Sequence, residues 1–137
     1  MSKNEHTIKK YMTCQPHAIE SNETVQSAEA LMGKLDIRHL PVMEKDQIIG
    51  IVSDRDIKMA LSLVDANPRL LLIKDICHEH PYIVEPDTPL SNVVRHMAEK
   101  RYGCAIIQQN QKLVGIFTTV DACRALAEEL ELRFHKK

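Results

Sequence analysis

Gly50-Ile51-Val52-Ser53-Asp54-Arg55-Asp56-Ile57 and, 65 residues later, Gly115-Ile116-Phe117-Thr118-Thr119-Val120-Asp121-Ala122 share one pattern. An apolar run reaches a hydroxyl residue, and a carboxylate follows three positions on. Such a pattern reads as a strand running into the start of a helix. The same 65-residue shift aligns residues 8–61 with 73–126 without a gap. Ile8-Lys9 falls on Ile73-Lys74, Pro16 on Pro81, Glu20 on Glu85 and Met32 on Met97. Gly50-Ile51, Asp56 and Ala60-Leu61 fall on Gly115-Ile116, Asp121 and Ala125-Leu126. Two copies are too few for a solenoid, so a pair of units about a pseudo-twofold axis is expected.

Each copy has the same internal order. An extended run comes first, His17 to Glu20 and Tyr82 to Glu85, followed by Asn22 or Asp87 as a candidate helix cap. Val25, Ala28, Met32 and Leu35, then Leu90, Val93, Val94 and Met97, recur at helical spacing. Pro89 suits a helix start. Two β-branched runs around a polar turn predict hairpins at 40–52 and 105–117. A last helix is expected from Asp54 or Thr119. The fold class is α+β, two β-α-β-β-α repeats, at residues 7–66 and 70–132, packed as one module. The link from Ser62 to Leu72 carries Pro68 as a helix breaker.

Composition excludes several classes. The 137 residues hold 18 Lys and Arg against 19 Asp and Glu, a balance with no general pull toward nucleic acid or acidic membranes. No apolar run is long enough to span a bilayer, and the N-terminus lacks a signal-peptide core. Cys14, Cys77, Cys104 and Cys123 form no CxxC and read as reduced thiols of a cytoplasmic protein. No Gly-rich phosphate loop or nucleophile elbow is present, so no catalytic residue is assigned and the chain is read as a non-enzyme.

These residues resemble the CBS domain, named for cystathionine β-synthase. Tyr11-Met12-Thr13 with Pro16 is similar to its entry segment, Arg38-His39-Leu40-Pro41-Val42 to its second strand, and the two stretches above to its signature. The likeness covers residues 7 to about 132. It implies tandem copies joined through their sheets, clefts that hold AMP, ADP, ATP or S-adenosylmethionine, and disk-shaped homodimers formed through helices. It also implies basic phosphate-binding groups just ahead of Leu40-Pro41.

The site chemistry can be stated residue by residue. Asp56 and Asp121 suit ribose hydroxyls, because one carboxylate can accept from both. Ser53 and Thr118, at helix starts, suit phosphate. Arg38, His39 and Arg55 offer cationic donors. Ala18, Leu40, Pro41, Ile83 and Ala105 are candidates around an adenine ring. The second copy has Gly103, Cys104 and Val120 where the first has Arg38, His39 and Arg55, so two sites would be unequal.

Simpler readings stand beside these. Ser53-x-x-Asp56 and Thr118-x-x-Asp121 also fit a helix capping box. Spacing alone favours capping; the duplicated register and the Arg38-His39 pair favour ligand binding for Asp56 and leave Asp121 balanced. Cys77-His78-Glu79-His80 fits no common zinc spacing, and no metal is assigned. Cys104, Cys123, Met32 and Met97 are expected in the core, and Glu99-Lys100-Arg101 at a solvated helix end. The expected function is a regulatory, signalling module that binds an adenine nucleotide, needs no cofactor and modulates an unidentified protein. The alternatives are a ligand-free dimerising scaffold, or a sensor of S-adenosylmethionine or NAD.

Overall fold

The computed structural model describes residues 6–14, 17–63 and 67–134. In chain order the elements are α1 (Ile8–Tyr11), β1 (Thr13–Cys14), β2 (Ile19–Glu20), α2 (Val25–Leu35), β3 (His39–Glu44), β4 (Gln47–Ser53) and α3 (Asp54–Leu63). A 3-10 turn, Ile73–Asp75, leads to β5 (His78–Glu79), β6 (Ile83–Val84), α4 (Leu90–Lys100), β7 (Cys104–Gln109), β8 (Lys112–Thr118) and α5 (Thr119–Phe134). From β2 to α3, and again from β6 to α5, the order is the expected β-α-β-β-α.

The backbone repeats even where the side chains differ. Asp36 and Arg101, 65 residues apart, both end their helices in the left-handed conformation, with φ of 55° and 60°. Both hairpins turn on two left-handed residues, Lys45-Asp46 and Asn110-Gln111. That geometry matches the right-handed twist of the flanking strands. Both hairpins are irregular at the same place, between Val42 and Met43 and between Ile107 and Gln108.

The helix starts depart from expectation. Thr24, not Asn22, caps α2, its hydroxyl accepting from the Ser27 N–H at 3.2 Å. Pro89, not Asp87, occupies the cap position of α4, where its missing N–H leaves no donor unsatisfied. Asn22 and Asp87 lie in the exposed turns just before.

The chain forms two compact units, residues 17–81 and residues 6–14 with 82–134. These are offset from the sequence repeats, because each repeat's lead-in segment belongs to the unit built by the other copy. In the first unit the strand order is β2-β3-β4-β5, with β5 antiparallel to β4 and Gly50 opposite Glu79. In the second it is β1-β8-β7-β6, with β1 antiparallel to β8 and Gly115 opposite Cys14. The two signature glycines permit this. A Cβ on Gly50 would lie 2.7 Å from the His78 carbonyl oxygen, and one on Gly115 would lie 2.8 Å from the Thr13 carbonyl oxygen.

The cores follow the same exchange. Ile73 is fully buried with Val25, Ala28, Leu40, Val42, Val52 and Ile57. Its counterpart Ile8 is fully buried with Val93, Ala105, Ile107 and Phe117. Burying an isoleucine side chain stabilises by about 1.5–3 kcal/mol, so each lead-in is anchored by one residue as well as by strand pairing. Met32 and Met97 are core as expected, and Cys104 is buried. Cys123 is exposed on α5, which corrects its core placement: α5 turns its Asp121 and Ala125 side inward and Cys123 away.

Candidate functional site

The signature residues gather at one end of each sheet. In the first unit His39 at the start of β3 stands opposite Ser53 at the end of β4, and the Asp54 N–H donates to the Arg38 carbonyl at 2.9 Å. Arg38, His39, Ser53 and the first turn of α3 are therefore neighbours. β2 runs parallel to β3 with Ile19 opposite Val42, so half-buried Ala18 lies toward the same end. In the second unit Cys104 stands opposite Thr118, the Thr119 N–H donates to the Gly103 carbonyl, and Ile83 pairs with Ile106.

Both capping boxes are formed. The Ser53 N–H donates to Asp56 Oδ2 at 2.9 Å and the Asp56 N–H to Ser53 Oγ at 3.0 Å. The Thr118 N–H donates to Asp121 Oδ2 at 2.9 Å and the Asp121 N–H to Thr118 Oγ1 at 3.3 Å. Capping occupies one carboxylate oxygen in each repeat and leaves the other to face a different partner.

Those partners differ. Asp56 Oδ1 is 2.9 Å from His78 Nε2. Asp121 Oδ1 accepts from Thr13 Oγ1 at 3.1 Å and from Arg124 Nη1 at 2.9 Å, and the Thr118 hydroxyl adds a longer bond to Oδ2. A carboxylate offers about four acceptor positions. Asp121 has partners for all of them and is 5% exposed. Asp56 is half-buried and has two hydrogen-bond partners among the described residues, Ser53 and His78, which leaves it acceptor capacity.

The cations sort unequally as well. Arg38 is exposed, with an ion pair to Asp36 at 3.7 Å, and Arg55 is exposed on α3. His39 is half-buried, and burial holds its imidazole below the ordinary value despite the opposing pull of Asp56. That burial works against the cationic role expected for His39 from sequence. Burial also acts on Asp56, pushing its carboxyl up, but hydrogen bonds from His78 and Ser53 outweigh this and hold it below the usual carboxylate range.

Leu40, Pro41 and Ala105 have essentially no exposed surface. Leu40 and Ala105 belong to the cores of their units, so their side chains are not open walls for an adenine ring. Three contacts with the signature carboxylates were not read from the sequence: His78, Thr13 and Arg124. The 65-residue register already places Thr13 on His78, but an alignment of threonine with histidine gives no sign of a shared role.

His78 is thus engaged by a carboxylate, and burial pushes the neighbouring Cys77 thiol up. Among the described residues no group of three His, Cys, Asp or Glu side chains is placed to hold a metal. No helix among the described residues is long and apolar enough to cross a membrane. The second unit has an apolar groove of about 590 Å³ between α4 and α5, lined by Leu90, Val94, Ala122 and Leu126, with His6 and Glu129 among its polar members.

Comparison with known proteins gives the family. Hypoxic response protein 1 of Mycobacterium tuberculosis is 24% identical over 131 residues, covering 95% of this chain and 92% of that protein. The Vibrio cholerae protein AcuB, named for acetoin utilization, has a crystal structure that matches with a TM-score of 0.79 at 28% identity, over 97% of this chain and 98% of that one. The CBS domain pair of MJ0100, crystallised with 5′-methylthioadenosine and S-adenosyl-L-methionine, matches with a TM-score of 0.80 at 23% identity, over 91% and 98%. CBS pairs generally act as regulatory ligand-binding modules. The CBS domain profile matches residues 8–63 and 73–128, and the chain therefore belongs to the CBS-domain family as a tandem pair.

Proposed function

We propose that this chain is a non-enzymatic regulatory module that binds an adenine nucleotide through its first repeat. The ribose would be held by Asp56, and the phosphate by Ser53, the N-terminus of α3 and Arg38. The observation that carries this reading is the contrast between the two signature carboxylates. Asp56 retains acceptor capacity beside Ser53, His39 and Arg38, whereas Asp121 is buried and its acceptor positions are taken. A ligand needs acceptors not already used, so the two sites are unequal and the first is the stronger. The ligands in the MJ0100 crystal are both adenosine derivatives, which supports an adenosine-based ligand class. Binding acts by favouring one arrangement of the module over another and so biasing a regulated protein.

The preference for phosphate over a sulfonium rests on Arg38 and Arg55. A hydrogen bond to a charged group contributes about 1.5–3 kcal/mol. In calorimetric titrations Arg38→Ala therefore weakens AMP by about tenfold or more and leaves adenosine nearly unaffected. Equal AMP affinity in Arg38→Ala, or S-adenosylmethionine displacing every nucleotide, overturns the phosphate assignment.

We assign the helical face of the second unit to a second copy of the chain. Leu126 and Leu130 are 59% and 46% exposed on α5, beside the apolar groove. An apolar patch of this kind on a small domain marks an interaction surface.

A further inference from the structure

Aromatic residues are divided between the repeats as unevenly as the basic ones. In the second unit Tyr82, His96 and Tyr102 form a ring cluster. The centroids of Tyr82 and Tyr102 lie 5.5 Å apart with the rings inclined by 30°, and His96 lies 4.4 Å from Tyr82 and 5.6 Å from Tyr102. Tyr82 immediately precedes β6, and its carbonyl accepts from the Ile106 N–H. His96 comes from α4, and Tyr102 lies in the short turn from α4 into β7. Three segments thus converge at the end of the sheet where Cys104 stands opposite Thr118.

The 65-residue register puts His17, Leu31 and Ile37 at these three positions in the first repeat. The basic groups run the other way, since Gly103, Cys104 and Val120 stand where that repeat has Arg38, His39 and Arg55. One repeat offers cations without tyrosine rings, the other tyrosine rings without those cations. Arg124 is bonded to Asp121, and the acceptors of Asp121 are taken, so phosphate and ribose are both poorly met there. A planar ring is better met. Tyr82 and His96 are half-buried and brace Tyr102, which is 36% exposed. The space beside it is open, because a Cβ added to Gly103 meets nothing within 4 Å. Aromatic rings pair offset-stacked or edge to face, and every nucleobase has a π-face to offer such a ring.

We propose that this end of the second unit is a stacking site for the base of an uncharged purine nucleoside, held by Tyr102 and indifferent to phosphate. It uses no residue of the Asp56 site, so it stands or falls separately from the nucleotide site proposed for the first unit.

The test is a titration of the full chain with adenosine and with AMP. It is followed through the ring resonances of Tyr82, His96 and Tyr102 and, separately, through the amide resonances of residues 53–57. Adenosine is expected to move the Tyr102 ring resonances upfield, as a stacked base does, and AMP to bind there with an affinity within about twofold of adenosine's. Tyr102→Leu removes the ring from an exposed position and should weaken this binding by about tenfold, while Tyr102→Phe should keep it. Gly103→Arg supplies the cation that the first repeat has at Arg38, and should make the site prefer AMP. Ring resonances that do not move with adenosine overturn the site. So does Tyr102→Leu binding as tightly as the parent, or Tyr102→Phe binding as weakly as Tyr102→Leu. AMP binding several-fold more tightly than adenosine in the parent, with Arg101 at the end of α4 as the cation, overturns the indifference to phosphate. A response of the rings alone supports this site and counts against the Asp56 reading; a response of residues 53–57 alone does the reverse.

Discussion

Replacing Gly50 with alanine adds one methyl group where the lead-in strand of the second repeat crosses the sheet of the first unit. The new Cβ would sit 2.7 Å from the His78 carbonyl oxygen and 3.2 Å from Cys77 Sγ. Ordinary contact begins near 3.4 Å, so β5 must retreat by about 0.7 Å or β4 must bend. The obstacle is backbone, with no rotamer to relieve it, and overpacking of this kind costs about 1–3 kcal/mol. Alanine also narrows the unfolded ensemble, which returns about 0.4–1 kcal/mol. The net loss is about 1–2 kcal/mol, or roughly 4–8 °C in Tm for a chain of this size.

Gly33 supplies the control. It lies inside α2 and is exposed, with nothing within 4 Å of an added Cβ. Gly33→Ala should therefore stabilise by about 0.5–1 kcal/mol. Scanning calorimetry and urea midpoints of both variants read the two signs from one chemical change. A Gly50→Ala protein as stable as the parent, or a Gly33→Ala protein destabilised to the same degree, refutes the account of why glycine begins each signature.

Three further outcomes follow from the same contacts. The folded Asp56 carboxyl lies below its ordinary value, so its stabilising contribution is complete above that value and fades as pH falls through the folded one; Asp56→Asn should flatten the loss of Tm as pH falls below the ordinary carboxylate range. Burial and the hydrogen bond to Glu129 push the Tyr11 phenol up to about 12, so its contribution is complete below the ordinary tyrosine value near 10 and is lost as pH rises through 12; ultraviolet titration of Glu129→Gln should move one tyrosine to lower pH. Light scattering at micromolar concentration should give a dimer for the parent and a monomer for Leu126→Glu, and a monomeric parent removes the assignment of the helical face.

The repeat, the hairpins and the main helices were legible because each rests on a local pattern: period-two runs around polar turns and apolar residues at helical spacing. The 65-residue register then fixed which positions correspond. The exchange of lead-in strands was hidden, because pairing of Thr13-Cys14 with Gly115-Ile116 joins segments about a hundred residues apart. The glycines signalled a close approach without saying to what. Thr24 and Pro89 displaced Asn22 and Asp87 as caps because the turns ahead of α2 and α4 are longer than the polar residues alone suggested. Ser53, Asp56, Arg38 and His39 were found together, since one hairpin and one helix start carry them all. The burial of His39, the sealing of Leu40 and Ala105 in the cores and the partners of Asp121 depend on packing and on distant chain segments, which spacing does not encode.

The most direct test of the central claim is the affinity of AMP for the parent and for Asp56→Asn, measured by calorimetry at neutral pH beside the thermal stability of both. Asparagine retains a capping oxygen but removes the charge that receives the ribose hydroxyls. A charged hydrogen bond is worth about 1.5–3 kcal/mol, so AMP should weaken by about tenfold or more, while Tm at that pH falls only by the carboxylate's own contribution to stability. AMP affinity unchanged in Asp56→Asn would make the residue a helix cap and nothing more, and would contradict the account.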